Sequence, residues 1–183
     1  MKKLLFVFAA SMCLFFMAPN QLDAQIGARA GLNMSNFSGD VEGNTTKMGF
    51  HIGVVYGTQI SESLSFTPGL LYSLKGSGLD GVDESASATY LEIPLDLGYA
   101  VSDGFNINVG PYIGLLMSAK FGDLDVKDSY KSLDFGLNVG ASYDVDLVSI
   151  GVGYGLGLAN IADVEDDTSV KNTNITLYLV YPF

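Results

Sequence analysis

Residues 90–101 read Tyr90-Leu-Glu-Ile-Pro-Leu-Asp-Leu-Gly-Tyr-Ala-Val101, and the alternation is strict. Leu91, Ile93, Leu95, Leu97, Tyr99 and Val101 fall on one side, Tyr90, Glu92, Pro94, Asp96 and Gly98 on the other. Neighbouring side chains on an extended strand point to opposite faces, so this period of two marks a strand with one apolar face. The chain ends the same way. Ile175, Leu177, Leu179, Tyr181 and Phe183 oppose Thr176, Tyr178, Val180 and Pro182.

Six further segments share the pattern: Ile26–Ser35, Met48–Gly57, Leu64–Lys75, Phe105–Ala119, Leu133–Tyr143 and Val148–Leu158. Their second faces are rich in Gly, Ser and Asn, with Leu116 the exception in the fifth strand. Short links (Thr58–Ser63, Ser102–Gly104, Asp144–Asp146) alternate with long polar ones (Asn36–Lys47, Gly76–Thr89, Lys120–Ser132, Asn160–Asn172). Eight such segments, each near the ~9–11 residues of a tilted membrane strand, predict an all-β fold: an eight-stranded antiparallel up-and-down transmembrane β-barrel. Short periplasmic turns and longer outer loops are the rule in such barrels, so both termini are expected in the periplasm.

The start of the chain reads as a separate segment. Lys2 and Lys3 precede an apolar run of 14 residues, Leu4–Met17, and a polar stretch follows with Leu22 and Ala24 before a plausible cut. That is the pattern of a secretory signal over 1–24, leaving 25–183 as the barrel domain; the run is shorter than the ~20 residues of a spanning helix. Cys13 lies in this leader, so a mature chain cut after Ala24 holds no cysteine for disulfide, metal or redox chemistry. Removing Lys2, Lys3 and Asp23 leaves 7 basic and 19 acidic residues, a charge of −12, which argues against nucleic acid as a partner. Apolar residues make up 48% of the chain, so it is not a disordered acidic polymer.

Alternation alone does not say which face is inside. A lipocalin-like barrel in water would turn the apolar faces inward around a ligand. Here the polar faces carry few charges and many small residues, which suit a narrow lumen better than a water-exposed surface. Tyr56, Tyr72, Tyr99, Tyr143, Tyr154, Tyr181 and Phe183 lie near segment ends on the apolar faces, as aromatic girdles do. The charged groups on the polar faces are Arg29, Lys75, Glu92, Asp96 and Asp134. Buried charges need partners, so Arg29 is expected to meet Glu92, Asp96 or Asp134 in a lumenal polar network that plugs the barrel.

Little in the sequence indicates catalysis. His51 is the sole histidine; it lies on a polar face and is assigned to the lumenal network. Glu92 and Asp96, four residues apart on one strand, are separated by roughly 13 Å, too far for a glycosidase-type carboxylate pair. The glycines of 151–157 alternate along a strand and do not form a nucleotide loop. The loops are acidic (Asp80, Asp83, Glu84; Asp123, Asp125, Asp128; Asp163, Glu165, Asp166, Asp167) but lack a complete calcium motif. No cofactor or metal site is assigned, and the chain is expected not to be an enzyme.

Several strand segments resemble the PorT-like family of small outer-membrane β-barrel domains: Gly27–Ser35, Pro68–Tyr72, Tyr90–Pro94, Gly110–Gly114 and Gly151–Gly157. The terminal Tyr181-Pro-Phe183 looks like the signal read by the barrel-insertion machinery, with Tyr181 and Phe183 as its aromatic positions. The resemblance implies the fold and the outer membrane rather than a chemistry. The expected function is a non-enzymatic integral outer-membrane protein that anchors four acidic outer loops. Outer-membrane lipid, lipopolysaccharide and, during biogenesis, the insertion machinery would be its partners. The alternatives are an accessory part of a secretion or transport complex, or a barrel enzyme acting on envelope lipid.

Overall fold

The computed structural model describes residues 25–41, 43–164 and 168–183. The expected signal segment 1–24 and the acidic residues Glu165, Asp166 and Asp167 lie outside the described residues. The strands are β1 (Gln25–Gly39), β2 (Asn44–Gln59), β3 (Leu64–Leu79), β4 (Val82–Ser102), β5 (Phe105–Phe121), the two-residue β6 (Leu124–Asp125), β7 (Leu133–Val145), β8 (Val148–Gly157) and β9 (Val170–Pro182). A 3-10 turn, Lys127–Ser129, follows β6. Every pairing is antiparallel.

The sheet closes on itself. β4 pairs with β5, β9 pairs with both β8 and β1, and β6 is only a short flap on the end of β5. Eight long strands therefore form a complete ring without free edges, the arrangement that satisfies every backbone group without water. The seam is long: Gly27 pairs with Pro182 and Gly39 with Val170, with each intervening residue in register. We call the two rims the turn end, where the chain termini and short links lie, and the loop end.

The faces are set by alternation, and the apolar face is outside. Leu32, Ile52, Ile107, Val152, Leu177 and Leu179 form part of an exposed belt; Leu177 is 50% exposed and Leu97 40%. Leu91 lies in register between Tyr72 and Leu115, which are both exposed. Many of the buried residues are polar or charged, among them Asn33, Ser35, His51, Ser73, Lys75, Glu92, Asp134, Asn172 and Asn174. This inversion of the usual core is what lipid tails outside a barrel require. Tyr56, Tyr99, Phe105, Tyr143 and Tyr181 lie close to the turn-end termini of their strands, as a girdle does. Tyr154 lies near the loop-end terminus of β8, and Tyr72 is mid-strand instead, because β3 continues to Leu79.

Two sequence expectations need correction at the loop end, and a bulge adds a third difference there. The link Gly76–Thr89 is not a loop: β3 and β4 run on to a two-residue turn, Asp80-Gly81, and form a ribbon beyond the belt. Gly81 has a left-handed φ of +74°, and Asp-Gly is a signature of such hairpins. Similarly, β1 and β2 extend far into Asn36–Lys47. The third difference is a register shift between β4 and β5, where Thr89 faces Ser118 but Tyr90 faces Leu116. The extra residue, Met117, shifts the alternation so that Leu116 and Ala119 are both buried. Leu116 is thus an inward apolar residue with a purpose: with Ala88, Tyr90 and Ala119 it forms a small apolar cluster.

Candidate functional site in the barrel lumen

Four layers fill the barrel from the turn end upward. Each is built from inward positions of several strands. In the lowest, Arg29 of β1 reaches across the lumen to Asp96 of β4, Nη1 to Oδ2 3.3 Å. Its guanidinium lies 3.9 Å from the centroid of the Tyr178 ring, a cation–π contact that holds the fork flat. Arg29 thus meets one of its three expected partners.

Asn33, four residues farther along β1 than Arg29 and on the same face, is the hub of the second layer. Its amide donates to Ser73 Oγ (3.1 Å) and to the carbonyls of Leu74 (2.9 Å) and Phe50 (3.1 Å). Those bonds fix Oδ1 as the acceptor facing His51 Nδ1 at 2.8 Å and Asn174 Nδ2 at 3.2 Å. Nδ1 of His51 therefore carries the proton and donates. The imidazole is 3% exposed and meets the Tyr178 ring edge-on at 6.4 Å between centroids. Neither a serine nor a carboxylate bonds to it among the described residues.

The third layer pairs Lys75 with Glu92, a contact the sequence did not single out. The ammonium also sits 4.5 Å from the centre of the Tyr112 ring. Asp134, fully buried, does not receive Arg29: Tyr112 Oη and Asn172 Nδ2 donate to its Oδ2 at 3.2 and 2.9 Å. Asn172 also donates to Tyr90 Oη at 3.3 Å. The top layer is the apolar cluster, capped by Val126 and Tyr130 from the β5–β7 link. Burial in this cap raises the Tyr130 hydroxyl above its ordinary pKa. A bridge between Tyr130 and Ala162 ties that link to the β8–β9 link.

Open space is unevenly distributed. A cup of about 430 Å³ opens at the turn end, walled by small residues such as Gly27, Gly57, Ser65 and Ser142 and floored by Arg29, Asp96 and Tyr178. Above that floor lies a second space of about 30 Å³, bordered by Asn33, His51, Lys75 and Glu92. That is room for about two water molecules. The lumen is a cup below and a plug above.

All six expected lumenal residues (Arg29, His51, Lys75, Glu92, Asp96, Asp134) line the interior. Sequence reasoning missed Asn33, Tyr112, Asn172, Asn174 and Tyr178 as members of the network. Asn33, Tyr112 and Tyr178 already stood on polar faces, and their hydrogen-bonding ends were the available signal. Asn172 and Asn174 lay before the expected start of the last strand. Tyr181 and Phe183 are exposed at the turn end, with their rings 6.0 Å apart. Replacing Asn33 by alanine removes the shared partner of three strands. We expect a loss of about 1–3 kcal/mol in unfolding free energy, read from the urea midpoint of the barrel folded into lipid vesicles.

A closed antiparallel barrel with an apolar exterior and a polar, plugged interior defines a transmembrane barrel of the outer-membrane type. The chain belongs to the outer membrane protein beta-barrel domain family, whose model matches residues 17–163. Among solved structures it is similar to Neisserial surface protein A, at 15% identity and a TM-score of 0.61, over 88% of this chain and 99% of that one. It is also similar to Ail, the attachment invasion locus protein of Yersinia pestis, at 15% identity and a TM-score of 0.54, over 88% and 100%. These likenesses are of fold. No curated protein sequence matches the chain.

Proposed function

We propose that this protein is a non-enzymatic outer-membrane anchor whose loop end faces the cell exterior and presents acidic elements to the surroundings. The observation that carries the reading is the layered plug. A lumen crossed by two ion pairs and a hydrogen-bonded core, with room for about two waters, suits a rigid support rather than a conduit. His51 is occupied by Asn33 and enclosed, a poor position for attack on a lipid or peptide outside the barrel. The β3–β4 ribbon, carrying Asp80, Asp83 and Glu84, is the most regular element beyond the belt and the natural contact surface. Both termini are periplasmic in this reading, and membership of the PorT-like subset rests on the strand motifs without a secretion role attached.

Labelling of single cysteines on intact cells tests the orientation. Asp83→Cys should react with a membrane-impermeant maleimide on intact cells, and Asp146→Cys only after the outer membrane is opened. The unaltered chain is the blank. The reverse pattern overturns the orientation. The anchor reading itself fails if the purified barrel changes the acyl composition of envelope lipids and His51→Ala abolishes the change.

A further inference from the structure

The cations of the barrel are distributed unevenly. Arg29 and Lys75 are lumenal, and Lys47 donates to Ser85 at the mouth. The other described cations, Lys120, Lys127, Lys131 and Lys171, all lie at the loop end. At the turn end the charged side chains of the links are all acidic: Glu62, Asp103 and Asp146.

Three of these lysines share one face. Lys120 follows Ala119, which is fully buried. Lys131 follows Tyr130, which packs down on the apolar cluster, and Lys171 precedes Asn172, which is 1% exposed. Since successive residues of a strand point to opposite sides, Lys120 of β5 and Lys171 of β9 project outward, toward lipid; Lys131, in the link before β7, is exposed, and Lys171 is half-buried. Backbone bonds fix their lateral spacing. Lys131 N donates to Ile161 O and Ile161 N to Val170 O, both at 2.8 Å. The stretch around Ile161 therefore runs between the approach to β7 and the start of β9. Lys131 and Lys171 are two strand spacings apart, about 10 Å. β5, with Lys120, flanks β7 on its other side.

The row also has a defined height. Below it are the exposed belt residues Met117, Leu133 and Ile175; above it, farther along the links, are Asp123, Asp128 and Asp163, while Asp125 stands directly across from Lys120 in the β5–β6 pairing. Among the described residues neither ion pair involves these lysines. A lysine at this boundary lays its stem on the apolar surface and lifts its ammonium into the headgroup layer. The opposite side of the rim, the β3–β4 ribbon, carries carboxylates instead.

We propose that Lys120, Lys131 and Lys171 form a docking row for the phosphate groups of the outer-leaflet glycolipid. A headgroup with a phosphate at each end of a disaccharide can bridge two of the ammonium groups. The assignment rests on the loop end facing outward, as argued above.

The test uses the full chain folded into phosphatidylcholine vesicles. Binding of bisphosphorylated lipid A is compared with that of its dephosphorylated form and of phosphatidylglycerol. Preference for the bisphosphorylated lipid, weakening with salt, is expected. Each Lys→Gln change should cost about fivefold in affinity, and Lys120→Gln, Lys131→Gln and Lys171→Gln together on the order of a hundredfold. Lys127→Gln, on the 3-10 turn beyond the row, should change little, and the three Lys→Arg changes should retain binding. Heat-modifiable mobility on a gel establishes that each variant is folded. Undiminished binding by the triple glutamine variant overturns the row, as does equal binding of dephosphorylated lipid A or of phosphatidylglycerol. If the row fails while Asp83→Cys is still labelled from outside, the anchor reading survives. If that label is lost from intact cells, the anchor orientation fails first.

Discussion

Lys75→Met should lower the unfolding free energy of the barrel by about 3–5 kcal/mol, the usual result of removing one member of a buried ion pair. Lys75 is 3% exposed, and it faces Glu92, Tyr112 and Tyr90. Methionine keeps most of the volume but leaves Glu92 buried without a counter-charge. The loss comes from that stranded carboxylate more than from the value of the pair. Adding Glu92→Gln to Lys75→Met should therefore restore much of the stability, since a buried pair replaced by groups of similar volume is often nearly neutral. Urea titration in lipid vesicles, followed by gel mobility, measures both variants. A loss below about 1 kcal/mol for Lys75→Met would mean that the third layer is wet and that the lumen is not a plug.

Leu177→Arg should cost about 2–4 kcal/mol in a bilayer, the range for arginine on the lipid face near the midplane. Leu177 lies between Leu32 of β1 and Val152 of β8, all three exposed, and is flanked along its own face by Ile175 and Leu179. An arginine there has only hydrocarbon to face. By contrast, Leu147→Arg changes a residue 71% exposed in the β7–β8 turn, and should cost less than about 0.5 kcal/mol. The difference between the two substitutions measures the membrane itself. Equal effects would place the belt outside the hydrocarbon.

The strand periodicity was legible because lipid makes a strict demand: one side of every crossing strand must be apolar over its whole span. Tyr90–Val101 shows this without a break. Beyond the belt the demand ends. Residues 76–89 stay in a ribbon of mostly small and polar residues, so apolar alternation vanishes although the strands continue, and only Asp80-Gly81 marked the turn. The bulge at Met117 was visible as the misfit Leu116 but not interpretable, because it depends on pairing across to Tyr90. In the lumen, the sequence identified which charges are inside but not who meets whom. Arg29 and Asp96 are 67 positions apart, and their contact follows from the diameter and shear of the ring, which no local pattern encodes.

The seam imposes an order on assembly. β1 and its neighbour β9 are the first and last strands of the ring in chain order, so the ring can close only once β9 has docked. Until then Asn33 can join Ser73 and Phe50 on its own side, but Asn174, 141 positions later, has not arrived. Contacts between such distant positions make closure slow. A chain ending before β9 would have two unpaired edges and a half-built core, so nascent copies need protection from one another until the last strand docks.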